Sequence, residues 1–416
     1  MKQEEIMKKL YDKENPKSPL IFYLFYFAVF CGGSVSGNFM SLYLTEAGIP
    51  VKTLGVLSGV IMIVSLITLP IFGRIADNAR SKNIIMDLGY LFTIVMYVLF
   101  MVVKNIVVIC ILRLVYGLTM TPLMTLYDTI TMENCRKHGW EYGPIRMVGT
   151  IGFSLMALFA GYAMKGDIRG MFPMTIVCYT VTMLLGMLFP TSRRVEVQPS
   201  EGADADEAAA EKKGNVYVLL KNRKIRNVLI MFFVYYISAT INLTYFGNYV
   251  TALGGSLEMV GIANAILGFS ELPFHLGPGK RWLQRIGVEK SMLVVLGVGL
   301  FRWTVCAFTK NPTVLIWTMI LNGIQLVPVI IGVAEFLYDQ APEGLKVTAQ
   351  TSLRSSVSTA AMLVADFGGS ALFHLFEKMG QDPYRNTYLS LLPLSVIGIA
   401  AGLISLRKSE KETAQN

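Results

Sequence analysis

The chain has 416 residues, 53% of them hydrophobic and only 16% charged, with a formal net charge of +9. Soluble domains carry roughly 45–50% apolar and about 25% charged residues, so the composition argues against an ordinary soluble enzyme. A bilayer core of about 30 Å needs about 20 apolar residues per helix, so this length accommodates twelve membrane helices with short loops and excludes a single-span receptor.

Apolar runs with polar punctuation predict helices near 20–44, 54–76, 83–103, 106–130, 145–165 and 171–190, then near 225–250, 257–277, 290–309, 313–335, 348–376 and 386–406. Between the sixth and seventh lies a polar stretch, 191–224, with a low-complexity run at 203–213, which reads as a solvated linker. The expected fold is therefore an all-α membrane protein. It has a six-helix half over 1–190, a cytoplasmic linker over 191–224 and a second six-helix half over 225–416.

Basic residues are retained on the cytoplasmic side of a membrane. With residues at helix ends counted in the adjoining connection and the N-terminus inside, 28 Lys/Arg fall in the tails and even-numbered connections and seven in the odd-numbered ones. Arg113 and Arg302 lie within helices. Both termini and the linker are thus expected in the cytoplasm, in a multi-pass protein of the cytoplasmic membrane. The positive charge is explained by topology, and no basic stripe with interleaved stacking aromatics suggests nucleic acid as a partner.

The first apolar run follows a polar segment of about 19 residues and is too long for the core of a secretion signal. The cysteines at 31, 110, 135, 178 and 306 have no paired spacing and read as packing residues. Three scattered histidines do not make a zinc centre, so no metal and no cofactor is expected. Each half carries a basic short turn after its second helix, at 73–82 and at 279–290. A six-helix repeat is the layout of a transporter whose halves rock about a central site.

The turn Gly73-x-x-x-Asp77-x-x-x-x-Lys82 resembles the signature loop of the major facilitator superfamily. Gly73 is expected to permit close helix approach and Asp77 to accept charge-assisted hydrogen bonds, giving a conformational latch with Lys82. The plainer alternative is a charged turn obeying the topology rule. A more selective resemblance runs through Trp140-Glu-Tyr-Gly143-Pro-Ile-Arg146-Met-Val-Gly149-Thr-Ile-Gly152-Phe153, which is similar to the same stretch of lactose permease and of the nucleoside and phenylpropionate proton symporters. Asp128, 18 residues before Arg146, falls where that pattern has a carboxylate.

The resemblance implies that Asp128 and Arg146 pair and grip solute hydroxyls. Independently, an ionised side chain within a membrane costs at least about 2.5–3.5 kcal/mol and should pair or line water. With Asp128 at the end of the fourth helix and Arg146 at the start of the fifth, a short loop is expected to bring them together. A structural ion pair is the alternative. Phe153 lies two turns beyond Arg146, where the relatives carry an aromatic that stacks on a sugar ring; ordinary packing is the competing reading.

In the second half, Glu271-Leu-Pro273 and Phe301-Arg302-Trp303 resemble the same symporter branch. Glu271 is the leading proton-carrier candidate and a solute ligand, with Arg302 as its expected switching partner. Fixed structural roles are the alternatives for both. Asn322-Gly323 stands where related symporters have a histidine, and Gln325 and Leu326 occupy the neighbourhood of their proton-carrying glutamate. Asn322 is carried as a solute-binding candidate. The helix 7 aspartate and helix 11 lysine of lactose permease have no obvious equivalents, Asn242 and Ala361 being the nearest positions. Asp366, within the eleventh predicted helix, and Arg113, in Arg113-Leu-Val-Tyr-Gly117, complete the proton-coupling candidates, again with structural roles as the alternative.

The function expected is secondary active transport of a small polar solute, a sugar, glycoside or nucleoside, by proton symport with alternating access. It needs no partner beyond solute, proton and lipid bilayer, and a monomer suffices. Export of drugs or organic acids is the alternative within transport. A membrane enzyme or sensor is disfavoured, because there is no phosphate-binding Gly-Lys-Ser/Thr loop, no metal-binding His-x-x-Glu-His helix and no appended signalling domain.

Overall fold

Backbone amides and carbonyls inside hydrocarbon must be satisfied within the segment itself, which leaves the helix as the form open to these apolar runs. The computed structural model describes residues 18–79, 81–190, 216–275, 281–282, 285–342 and 345–413. Among these residues, 12 helices are long and apolar enough to cross a membrane. In chain order they are α1 (Leu20–Glu46), α2 (Val51–Ala76), α3 (Lys82–Val102), α4 (Ile106–His138), α5 (Tyr142–Ala163) and α6 (Ile168–Gly186). The second set is α7 (Arg223–Ala252), α8 (Leu257–Phe274), α9 (Val288–Phe308), α10 (Pro312–Gln340), α11 (Ala349–Lys378) and α12 (Pro383–Ile404). The protein is an all-α membrane protein with twelve spans in two six-helix halves.

Asparagines cap three of these helices at their N-termini. Asn105 accepts from the amides of Val107 and Val108, Asn222 from Lys224 and Ile225, and Asn311 from Thr313. The end of α4 differs from the sequence expectation. Instead of stopping near 130 it continues through a polar turn to His138, with Arg136, Lys137 and His138 in its last turn and a left-handed cap at Gly139 (φ 70°). Basic side chains are favoured at that end of the helix dipole, and glycine adopts the left-handed conformation without steric cost. Asp128 therefore lies ten residues before the end of α4, well inside the helix.

Contact clustering divides the chain into two compact units. One comprises Met1–Val51, Leu57–Glu196 and Ser256–Phe269; the other comprises Lys52–Val56, Val197–Gly255 and Ser270–Asn416. In the first unit α1 packs on α5 and α6, and α3 packs on α4 and α6. In the second unit α7 packs on α11 and α12, and α9 on α12. The pairs α1·α5, α1·α6 and α3·α6 thus recur six positions later, which gives the two halves a shared plan. Residues 191–215 of the expected linker 191–224, and residues 279–280 and 283–284 of the second basic turn at 279–290, lie outside the described residues.

Packing in the first unit leans on small residues. A Cβ on Gly261 of α8 would lie 2.5 Å from the Ala157 carbonyl oxygen and 2.9 Å from the Gly161 Cα of α5. Small residues of this kind let membrane helices approach backbone to backbone. The second unit has a core built from α7, α9, α10 and α11, including Val228, Phe232, Val295, Val333 and Leu353. Within it α10 and α11 carry short π-helical stretches, Pro328–Gly332 and Ala349–Leu353, and the Arg354 guanidinium donates to the Ile330 carbonyl at 2.9 Å. Side chains facing outward include Val102 (73% exposed) and Leu243 (69%), exposures that suit lipid and would be costly in water.

One further close approach gives a direct test. A Cβ on Gly323 of α10 would overlap the Ser270 carbonyl of α8, whereas one on Gly297 of α9 meets no atom within 4 Å. Gly323→Ala is expected to cost about 1–3 kcal/mol by overpacking. Thermal unfolding of the purified protein in detergent should therefore shift downward for Gly323→Ala and stay at the wild-type temperature for Gly297→Ala.

Candidate functional site

The first unit places charged and aromatic side chains from α1, α4 and α5 together. Asp128 of α4 accepts hydrogen bonds from two tyrosine hydroxyls, Tyr26 of α1 at 2.5 Å and Tyr142 of α5 at 2.8 Å. Arg146 of α5 lies over the ring of Phe30, with its guanidinium carbon 4.1 Å from the centroid. Such a contact is a cation–π interaction, strengthened when water is excluded. Asp128 and Arg146 are both half-buried.

The expected ion pair is not made. Among the described residues no salt bridge within 4 Å joins Asp128 to Arg146. The acid is held by phenols and the guanidinium by a ring face instead. Tyr26, Phe30 and Tyr142 were not singled out in the sequence. Tyr142 stands one helical turn before Arg146, a spacing that places both on one face; the pairing of Tyr26 with Asp128 spans 102 residues and has no local signal.

Phe153 is half-buried and lies toward α8, where a Cβ on Gly268 would be 3.4 Å from its ring. Its carbonyl accepts from Ser34 of α1 at 2.8 Å. Arg113 of α4 lies 5.6 Å from the Tyr116 ring. Tyr116 in turn donates to Ser36 at 3.3 Å, and Ser36 lies 3.2 Å from the Tyr179 hydroxyl, a buried hydroxyl cluster joining α1, α4 and α6.

In the latch region the close approach expected at Gly73 is not seen, since a Cβ there meets no atom within 4 Å. Lys82 is engaged, 2.5 Å from Glu133 of α4. The Asp77 side chain lies outside the described residues.

Two predicted residues meet in the second unit: Asn322 of α10 donates to Glu271 of α8 at 3.1 Å. Beside them the Gly323 amide donates to the Ser270 hydroxyl at 3.0 Å. Arg302 of α9 behaves differently from the expectation. It is 2% exposed and makes no salt bridge with Glu271; its guanidinium donates to Gln325 Oε1 at 3.0 Å and points at Met319 Sδ at 2.7 Å. The Trp303 ring lies 5.0 Å away, and Gln325 is itself oriented by a bond from Nε2 to the Val295 carbonyl at 3.2 Å. The physical reason is chemical identity: Gln325 supplies a permanent neutral acceptor within reach of the fork for a charge-assisted hydrogen bond, while the buried Arg302 Nε has no hydrogen-bond partner among the described residues.

Asp366 of α11 is 5% exposed, and its Oδ1 has no hydrogen-bond partner among the described residues. One turn on, Ser370 lies 3.2 Å from the Tyr245 hydroxyl of α7 and accepts from the Val56 amide at 3.1 Å. Asn242 of α7 accepts from Tyr388 of α12 at 3.0 Å, and Ala361 is buried. The five cysteines are free. Among the described residues no group of three or more His, Cys, Asp or Glu side chains is placed to hold a metal ion.

Twelve spans, a repeated helix plan and charged side chains held largely by neutral partners among the described residues are the layout of a multi-spanning solute transporter. The family model described as MFS_1 like family matches residues 20–377, and the chain belongs to that family. It is similar to the maltose permease of Geobacillus stearothermophilus, 23% identical over 79% of this chain and 81% of the permease. It is also similar to the raffinose permease of Escherichia coli, 25% identical over 65% of this chain and 63% of that protein. In structure it resembles the nucleoside transporter NupG, with a TM-score of 0.78 over 93% of this chain and 98% of NupG at 15% identity, a likeness of fold. The chain is thus a permease-like transporter of the major facilitator type and not an enzyme.

The Arg302 environment yields a stability test. Gln325→Leu removes the oxygen acceptor of a buried guanidinium and should destabilise the protein by about 1.5–3 kcal/mol, while Gln325→Glu keeps an acceptor. Thermal unfolding in detergent should separate the two variants, with the leucine protein melting lower.

Proposed function

We propose that the protein takes up a neutral, hydroxyl-rich solute, an oligosaccharide or other glycoside or a nucleoside, by proton symport with alternating access. The observation that carries this reading is the state of Asp128 and Arg146. Neither neutralises the other, and among the described residues the Arg146 guanidinium has no hydrogen-bond partner at all, so both have capacity for a ligand in the membrane interior. Asp128 accepts hydroxyl protons, and the fork of Arg146 donates to oxygen. Their combination suits a solute that both donates and accepts, as sugars and nucleosides do. A carboxylate-bearing solute would meet repulsion from Asp128. The names of the maltose and raffinose permeases point the same way.

Phe153, Glu271 and Asn322 are the remaining proposed solute contacts. Proton coupling is assigned to Glu271 and Asp366, with Arg302 and Arg113 as charged groups that bias them. Asp366 supports this role because a buried carboxyl with an unsatisfied oxygen is costly as a permanent charge. Asp77 and Lys82, in the turn that follows α2, are proposed as a conformational latch, with Lys82 held by Glu133 of α4. The halves 1–190 and 225–416 and the linker 191–224 are proposed to lie in the cytoplasmic membrane with both termini and the linker in the cytoplasm, functional as a monomer.

Proteoliposomes with radiolabelled maltose, raffinose or uridine provide the test. An imposed proton gradient should drive accumulation of at least one of these solutes, and a protonophore should abolish it. Asp366→Asn or Glu271→Gln should lose gradient-driven accumulation while keeping solute exchange at equilibrium. Accumulation that ignores the protonophore, or full coupling in both variants, rejects the proton assignment, and net extrusion rejects uptake.

A further inference from the structure

The two oxygens of Asp128 are not equivalent. Tyr26 and Tyr142 both donate to Oδ1, while among the described residues nothing donates to Oδ2. Two hydroxyl protons from different helices engage both lone pairs of one oxygen and fix the plane of the carboxyl. The other oxygen is left as a single acceptor of set direction.

The donors are themselves held. Tyr26 is fully buried, stacks on Phe30 (6.1 Å between centroids, 18° between planes), and meets Tyr127 (5.4 Å, 88°) and Tyr142 (6.1 Å, 83°) edge to face. Phe30 stands one helical turn after Tyr26 and carries Arg146 on its ring. Gly149 makes room for this, because a Cβ there would be 2.8 Å from the Phe30 ring. One stacked pair on α1 thus holds the acid through a hydroxyl and the base through a ring face.

We infer that this aromatic frame determines specificity: Tyr26, Phe30 and Tyr142 keep Asp128 and Arg146 apart, so that a solute must bridge them, with one hydroxyl donating to Oδ2 and a second oxygen accepting from the guanidinium. The inference rests on the reading that Asp128 and Arg146 bind solute, and it narrows the solute to a neutral molecule with at least two oxygens, one of them a hydroxyl donor. An anion without a hydroxyl has nothing to give Oδ2. A cation without an acceptor has nothing for Arg146. Tyr26 and Tyr142 are positioning residues that act through Asp128.

Two measurements test it. The first needs no solute: thermal unfolding of Tyr26→Phe and Tyr142→Phe in the wild-type and Asp128→Ala backgrounds, a double-mutant cycle. Each Tyr→Phe change should lower the melting temperature in the wild type and have no effect once Asp128 is gone. Equal losses in both backgrounds overturn the frame. Should Asp128→Ala not fold, Asp128→Leu fills the same space without an acceptor and completes the cycle.

The second measurement is binding of maltose, raffinose and uridine by calorimetry, each beside an analogue lacking one hydroxyl. Both tyrosine variants should raise the Kd of the solute that binds by about tenfold, the scale of one charge-assisted hydrogen bond. They should also lose discrimination against the deoxy analogue that engages Oδ2. A coupled cycle with unchanged Kd and unchanged discrimination shows a structural role and overturns the specificity inference. Binding of none of the three by the wild type overturns the solute reading itself, while the cycle still decides whether the frame holds the acid.

Discussion

A charge placed among apolar helices has to be satisfied from within the protein, and here the charges in the membrane interior are met mainly by neutral groups. Asp128 takes two phenol hydroxyls, Arg146 an aromatic face, and Arg302 an amide oxygen, a thioether and an indole. Hydrogen bonds to a charged group contribute about 1.5–3 kcal/mol each, enough to offset the few kcal/mol that insertion of the ion costs. An ion pair would achieve the same offset but would consume both charges. Neutral partners stabilise each ion and leave its remaining valence open, which is what a ligand-binding group requires.

The consequence for architecture falls on α1. Its residues Tyr26, Phe30 and Ser34 follow at intervals of four and so share one face. That face reaches the acid of α4, the arginine of α5 and, through the bond from Ser34 to the Phe153 carbonyl, the backbone two turns further along α5. The glycines that bear much of the family resemblance belong to the same contact. A Cβ on Gly149 would strike Phe30, and one on Gly152 would lie 2.7 Å from the Phe27 carbonyl oxygen. The sequence pattern Arg-x-x-Gly-x-x-Gly is, in physical terms, a smooth strip that lets α1 press its aromatics against the base of Arg146.

Much of this was legible in the chain before any coordinates. The helix count and the six-plus-six division follow from apolar runs of bilayer length, and the family follows from the segment around Arg146. What escaped was the position of Asp128 well inside its helix. Its helix seemed to end where hydropathy falls at Thr131-Met132-Glu133, yet a polar helix can continue beyond the hydrocarbon at little cost, and the basic turn before Gly139 marked the true stop. Tyr26 escaped for another reason. A tyrosine in a membrane helix reads as packing, and the hydroxyl gains meaning only when a partner 102 residues away is brought to it.

The departures from lactose permease in the second half obey the same constraint as the first. Removing one member of a buried ion pair strands the other at a cost of several kcal/mol, so charges are lost together or are given new partners. Asn242, the position nearest to the permease's helix 7 aspartate, is an amide that accepts from Tyr388, and Ala361, the position nearest to its helix 11 lysine, is buried without polar demand. Arg302 follows the second route: the arginine stays, and Gln325 meets it with an oxygen that cannot take up a proton. The carboxyls of Glu271 and Asp366 stand in different surroundings: Glu271 is engaged by Asn322, and Asp366 is buried with one oxygen that has no hydrogen-bond partner among the described residues. A carboxyl bonded by an amide and one left with an unsatisfied oxygen meet the same desolvation cost in different ways, the first through a partner and the second by remaining costly as a permanent charge.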